Sequence, residues 1–195
     1  MIFLSKKHEI INVTIENISK FGIDGTTMKN IALDSEIKSA SIYYFFKNKE
    51  ELILECVDVI LNRHLDSLIS ANLFKENIST LDSLYLLLEN IVEFHENNPV
   101  DTMAYLQLIN SHNSEIQEKI NKYQLKYLNW LENSFEQNLL VESNNKEKNK
   151  LLLEYVVLLS NALFWENIVY SSEDMIKRLD FAKDLLLYSF EKLKK

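Results

Sequence analysis

Residues Thr26–Leu52, TTMKNIALDSEIKSASIYYFFKNKEEL, decide the fold of this chain. Two short helical patterns flank a tight break, and a third helix starts at the end of the stretch and runs on for many turns. Thr27 is suited to cap the first helix, because its hydroxyl can accept from the free amides of an opening turn. Ile31 and Ala32 supply the buried face of that helix, which is about two turns long. Asp34-Ser35-Glu36 interrupts the pattern, Ile37 returns to the core, and a second short helix carries Ile42 and Phe46 inward. Ser39, Ala40, Ser41, Tyr43 and Tyr44 are then left facing outward. Two short helices at a steep angle, the second presenting small polar and aromatic side chains, form a helix-turn-helix.

Outside this stretch the composition points the same way. The chain has 195 residues, with two Gly and one Pro, too few to punctuate strands or hairpins, so an all-α fold is expected. Hydrophobic residues make up 47%, enough for a core and a surplus for a partner. No apolar run approaches the ~20 residues of a membrane span, no membrane partner is expected, and the N-terminus lacks a signal-peptide pattern. The single cysteine, Cys56, excludes an internal disulfide and agrees with a cytoplasmic location. The net charge of −8 is unevenly spread. Residues 1–50 hold seven Lys (6, 7, 20, 29, 38, 47, 49) against six acids, for +1; the remainder carries −9.

Periodicity places a helix over 5–21, with Ile11, Ile15 and Ile18 on one stripe and Val13, Asn17 and Lys20 away from it; Gly22 ends it. Lys6 and Lys7 can either reach a phosphate or simply be solvated. Asn48 is the expected N-cap of a connecting helix over 48 to about 70, with Glu50 and Glu51 in its acidic first turn. At about 1.5 Å per residue this rod is roughly 34 Å long. Further helices are expected over 79–95, 101–111, 113–140, 148–170 and 173–194, with Asn97-Asn98-Pro99 as a stop and 142–150 as an exposed loop. In the penultimate helix Leu151, Tyr155, Leu158, Ala162 and Trp165 share one flank, and Leu152, Val156, Leu159 and Leu163 another. A helix apolar on two faces is buried on two faces. One face suits the protein's own core and the other a second subunit, with Leu159 and Leu186 expected in the seam; a thick monomeric core is the alternative.

The run from Gly22 through Leu52 resembles the N-terminal DNA-binding domain of TetR-family transcriptional regulators. It follows without gaps that family's pattern of Gly, aromatic or aliphatic, two variable residues, Thr-Thr, Ile-Ala, and later aliphatic-Tyr-x-x-Phe-x-x-Lys-Glu-x-Leu. The likeness covers residues 5 to 55, about a quarter of the chain. It implies a three-helix helix-turn-helix head (1–47) joined by a long helix to an α-helical ligand-binding and dimerisation body (48–195). By the same likeness Thr27 and Lys29 touch phosphate and sometimes a base, and Lys38, Ser39, Ala40, Ser41 and Tyr44 face base edges or adjoining phosphates. Tyr43 and Lys49 match phosphate-binding positions. Glu36 stands where the family often has Gly, Lys38 where many members have a Ser or Thr cap, and Ala40 where Gly is common. Glu36 forced to positive φ would cost on the order of 1 kcal/mol. Phe45 replaces a frequent His or Tyr, which removes one backbone contact.

The implied function is a DNA-binding transcriptional repressor, homodimeric through the last two helices and released from its operator by a small-molecule effector. The alternative is a helix-turn-helix protein acting mainly through protein–protein contacts. Aromatics and amides in the second half (Phe94, Met103, Gln107, Tyr127, Trp130, Asn161 and Trp165) have the composition of an effector pocket, although each also suits ordinary packing. The acidic body favours a neutral or cationic effector. His8, His64, His95 and His112 form no ligand spacing for zinc, and neither Gly22 nor Gly25 belongs to a phosphate loop, so no cofactor and no enzymatic activity are expected.

Overall fold

The isoleucines of the first helix recur at helical spacing, and Ile10, Ile11, Ile15 and Ile18 are all buried. The computed structural model describes residues 2–74, 78–138 and 146–194. Among these are nine helices and no strand: α1 (Ile2–Gly25), α2 (Met28–Asp34), α3 (Ser39–Ile42), α4 (Lys49–Ser70), α5 (Thr80–Asn97), α6 (Pro99–Ile109), α7 (Ser114–Asn138), α8 (Lys146–Val169) and α9 (Ser172–Lys194). They form two compact units, one of residues 1–64 with 98–125, the other of 65–97 with 126–195.

The first unit buries Ile31, Ile42, Phe46 and Leu52 on the α1 isoleucines, and α6 packs along α1 through Ala104 and Leu108. Polar side chains tie its helices together. The Arg63 guanidinium donates to both Asp101 carboxylate oxygens at 3.0 Å and to Asn12 Oδ1 at 2.6 Å. Lys119 pairs with Asp58 at 2.6 Å, and Asn113 donates to Glu50 at 2.8 Å. His64 bonds the Tyr123 hydroxyl, and burial pushes its pKa down to about 4. Burial raises the Cys56 thiol far above its ordinary range, with the Glu55 carboxylate adding to the effect, which leaves it an inert core group.

Asn17 corrects its expected outward placement. It is 2% exposed, donating from Nδ2 to the Val13 carbonyl at 3.0 Å and to Asp34 at 2.8 Å. A buried amide needs partners; here α2 supplies one from a neighbouring element, which periodicity along α1 does not reveal. The break at Gly22 is present (φ 70°, ψ 177°), yet helical residues resume as far as Gly25.

The second unit packs α5, α8 and α9 on one another. Leu84, Leu87, Leu88, Leu152, Val156, Leu163 and Leu186 are its buried aliphatics. Phe74 lies edge-on to Trp130 at 6.1 Å, and Trp130 is 6.0 Å from Tyr127. Four sequence expectations change across the two units. Pro99 opens α6 at its first position, where its missing N–H is no loss, as well as following the end of α5. Residues 146–150, expected in the loop, are the first helical residues of α8; the rest of that loop, 142–145, lies outside the described residues. Leu186 is fully buried within this unit, so it belongs to the core and not to a subunit seam, and Leu159 is half-buried. Finally, α8 is long and apolar enough by length and composition to cross a membrane, contrary to the expected absence of such a stretch. Its two-sided pattern accounts for this: Leu152, Val156 and Leu163 are buried, whereas Leu158, Trp165 and Val169 are exposed.

Candidate nucleic-acid interface

Thr27 is extended (φ −124°, ψ 148°) and its hydroxyl accepts from Asn30 N at 3.1 Å, which fixes the start of α2. The other end of α2 closes in a Schellman arrangement: Ile37 N donates to Ala32 O at 2.9 Å and Glu36 N to Leu33 O at 3.1 Å. That motif places Glu36 at φ 54°, the left-handed position where Gly is usual. Lys38 precedes α3 in extended conformation and makes no side-chain cap, as its chemistry requires. Beyond Ile42 the chain keeps turning, with Phe45 N and Phe46 N both donating to the Ile42 carbonyl at 2.9 and 3.0 Å. Ile42 and Phe46 are 0% and 1% exposed, so this short helix is pinned to the core from one side only.

Its other side is open. Lys38, Ser39, Ala40 and Ser41 are exposed, as are Tyr43 (55%) and Tyr44 (74%). Thr27 and Lys29 are exposed at the start of α2. Small side chains followed by two tyrosines let a helix approach a groove closely while hydroxyls reach for phosphate or base edges. Phe45 is half-buried and packs edge-on to Tyr44 at 5.3 Å.

The seven lysines of residues 1–50 separate into two groups. Lys6 donates to Glu9 at 2.7 Å and to the Ser35 carbonyl at 3.0 Å, Lys7 to Glu55 at 2.7 Å, and Lys20 to Glu16 at 3.3 Å. Lys49 is half-buried and donates to the Ile23 carbonyl at 2.6 Å. Lys29, Lys38 and Lys47 are exposed, and among the described residues their ammonium groups hold no acceptor. Lys47 was not among the site residues read from sequence; only the pairing of the other lysines sets it apart.

The residues expected to bind an effector are scattered. Tyr127 and Trp130 adjoin, and burial pushes the Tyr127 hydroxyl up to about 12. Phe94 is buried and stacks edge-on to His95, whose ring also meets Phe164 at 4.9 Å. Asn161 and Trp165 are exposed in that second unit, whereas Met103 and Gln107 are exposed in the first, with Gln107 against Gly22. A cleft of about 240 Å³ that the sequence did not suggest lies in the first unit, walled by Ile23, Ile53, Leu54 and Ile116 with Lys49, Glu50, Ser111 and Asn113. None of the seven expected residues lines it. Among the described residues, no group of three or more His, Cys, Asp or Glu is placed to hold a metal ion.

Residues 10–56 match the profile of the bacterial regulatory proteins of the tetR family. Over 106 residues the chain is 36% identical to the biofilm operon icaADBC HTH-type negative transcriptional regulator IcaR of Staphylococcus aureus (strain Newman), a match covering 54% of each protein. It is 38% identical over 82 residues to the regulator of the same name from Staphylococcus epidermidis, covering 42% of this chain and 43% of that one. The chain thus spans about half the length of these relatives. Among solved structures it is similar to the transcriptional regulator FadR of Bacillus subtilis in complex with stearoyl-CoA (18% identity, TM-score 0.72, 92% of this chain and 96% of that one). It is also similar to GusR of Salmonella enterica (14%, TM-score 0.73, 96% of each). At these identities the likeness is one of fold.

Proposed function

We propose that this chain, which belongs through residues 10–56 to the tetR family of bacterial regulatory proteins, binds double-stranded DNA as a homodimer and represses transcription until a small-molecule effector releases it. One observation carries the reading: α3 is anchored by Ile42 and Phe46 and exposes Ser39, Ala40, Ser41, Tyr43 and Tyr44 together. A recognition helix needs that division between an immobile inner side and an open outer one. Residues 1–47 act as the reading head and 48–195 as the body, in the cytoplasm and without enzymatic activity. Thr27, Lys29, Lys38 and Tyr43 hold phosphates, and Ser39, Ala40, Ser41 and Tyr44 face the bases.

The dimer forms through α8 and α9. Leu151, Leu158, Trp165 and Val169 follow one another at helical spacing on α8 and are 42–76% exposed, with Phe181, Leu185 and Tyr188 exposed on α9. Apolar surface of that continuity marks an interface. The effector site draws on the aromatic residues around Tyr127, Trp130 and Phe94, where Ser160 and the Tyr127 hydroxyl can orient a polar group. The names of two proteins support the reading: IcaR is a negative transcriptional regulator, and FadR was solved with stearoyl-CoA. The protein-contact alternative draws support from the four lysines already engaged within the protein. Footprinting on the DNA flanking the protein's own gene decides between them. A protected near-palindrome is expected, and binding without sequence preference or salt dependence would leave the protein-contact reading.

A further inference from the structure

We propose that Lys47, and not Lys49, is the phosphate-binding lysine at the junction of the recognition helix and α4, and that Lys49 positions the head by holding the end of α1. This rests on the DNA-binding reading above. Lys47 and Lys49 are two residues apart and carry the same charge, so sequence alone gives no reason to separate them. Their surroundings do.

Lys49 is half-buried, and its ammonium donates at 2.6 Å to the carbonyl of Ile23. That carbonyl follows directly on Gly22, whose φ of 70° and ψ of 177° interrupt the helix. A carbonyl beside such an interruption lacks a regular helical partner, and a charged donor is a strong replacement. Lys49 also walls the cleft between the end of α1 and the start of α4, next to Ile53 and Leu54. Drawing it out to a phosphate would break the tie between these two helices.

Lys47 differs in each respect. It is exposed, and among the described residues its ammonium holds no acceptor. Its backbone, by contrast, is fixed: the Glu51 carboxylate accepts from Lys47 N at 2.6 Å, while Asn48 Oδ1 accepts from Glu51 N at 2.8 Å to cap α4. This relative of the capping box, in which Glu51 accepts from the residue before the cap, holds Lys47 three residues after Tyr44 with a free cationic end. Phosphate oxygen is the chemistry that an anchored backbone with an unpaired ammonium fits. Lys29 and Lys38 share its unpaired, exposed state, which makes these three lysines the electrostatic footprint of each head.

The test uses the full-length protein and a pool of random-sequence 30-base-pair duplexes, so no operator is needed. Each lost phosphate contact lowers the slope of log affinity against log salt by about 0.9, or about 1.8 for a dimer. For Lys47→Gln the affinity ratio between 50 and 200 mM salt should therefore shrink about twelve-fold relative to wild type. Lys38→Gln, a residue already placed on the DNA, serves as the positive control. Lys49→Gln should leave the slope within error of wild type and lower the melting temperature, and Lys49→Arg should restore that temperature. An unchanged slope in Lys47→Gln with a reduced one in Lys38→Gln overturns the assignment and spares the DNA reading. A slope reduced in Lys49→Gln overturns the positioning role. A wild type that binds no duplex overturns both.

Discussion

The two compact units are each held together by different means, and the difference shows where continuous apolar surface remains. In the first, an isoleucine core is crossed by polar ties between helices distant in sequence: Arg63 to Asp101 and Asn12, Lys7 to Glu55, Lys119 to Asp58, Asn113 to Glu50. These fix one arrangement of α1, α4, α6 and α7, and what stays exposed on α3 is small or hydroxylated. In the second, aliphatic and aromatic packing predominates, joined among the described residues by cross-helix polar ties such as Lys183 with Glu89, Arg178 with Glu166, and Asn167 on the Val92 carbonyl. Large apolar residues remain exposed along α8 and α9. The second unit keeps a continuous apolar strip along α8 and α9, whereas the first exposes Phe21, Leu33, Met103 and Leu125 on four different helices.

The largest expected effect separates core from seam within the second unit. Leu186 is fully buried and Leu158 is 63% exposed. Leu186→Asp should destabilise by more than about 4 kcal/mol, because a carboxylate would be buried without a partner, and circular dichroism should show a largely unfolded chain. Leu158→Asp should keep the helical spectrum and sediment as a monomer, where the wild type is expected to sediment as a dimer. A folded Leu186→Asp, or a dimeric Leu158→Asp, breaks the contrast.

An intermediate effect probes the polar ties of the first unit through pH. His64 has a folded pKa lowered to about 4 by burial, whereas an unfolded histidine titrates near about 6.5. Between these values the unfolded chain binds the proton and the folded one does not, so stability falls as pH drops through that window, by up to about 3 kcal/mol. Below about 4 both states are protonated and the loss is complete. Urea midpoints between pH 7 and 5, above the range where ordinary carboxylates titrate, should decline in wild type and stay flatter in His64→Gln. Equal slopes would mean that His64 is not held neutral.

The head was legible because its constraints are local. A Thr cap, the Ile31-Ala32 and Ile42/Phe46 inward pairs, and the Asn48 cap each act within a few residues, and all appear as the sequence implies. Asn17 was misplaced because its partner Asp34 lies on another helix, and Leu186 because an apolar residue on the last helix does not say whether it meets its own core or a second subunit. The lysines carry the same lesson for the site. Lys6, Lys7, Lys47 and Lys49 look alike in sequence, and only the positions of Ser35, Glu55, Glu51 and Ile23 show what each is free to do. The proposed effector residues were chosen by composition, which is blind to which unit a side chain joins; Met103 and Gln107 fall in the first, and Tyr127 and Trp130 in the second.

The smallest expected effect returns to the two units through their left-handed residues. Glu36 follows the C-cap of α2 in the first, at φ 54°, and Asn72 stands in the turn after α4 in the second, at φ 46°. Asn tolerates this conformation because its short side chain bonds locally, whereas Glu keeps a Cβ crowded against the following carbonyl and gains nothing in return. The Schellman bonds from Ile37 and Glu36 hold the turn closed, so the strain is retained in the folded state. Glu36→Gly removes the crowding at the cost of extra freedom in the unfolded chain. The net expectation is a gain of up to about 0.5 kcal/mol, or about 1–2 °C in melting temperature for a protein of this size. Glu36→Asn should recover part of that gain, and Asn72→Gly should gain little or lose. If Asn72→Gly stabilises as much as Glu36→Gly, side-chain crowding is not what separates the two turns. If Glu36→Gly destabilises, the Glu36 side chain holds the turn by a contact that outweighs its strain.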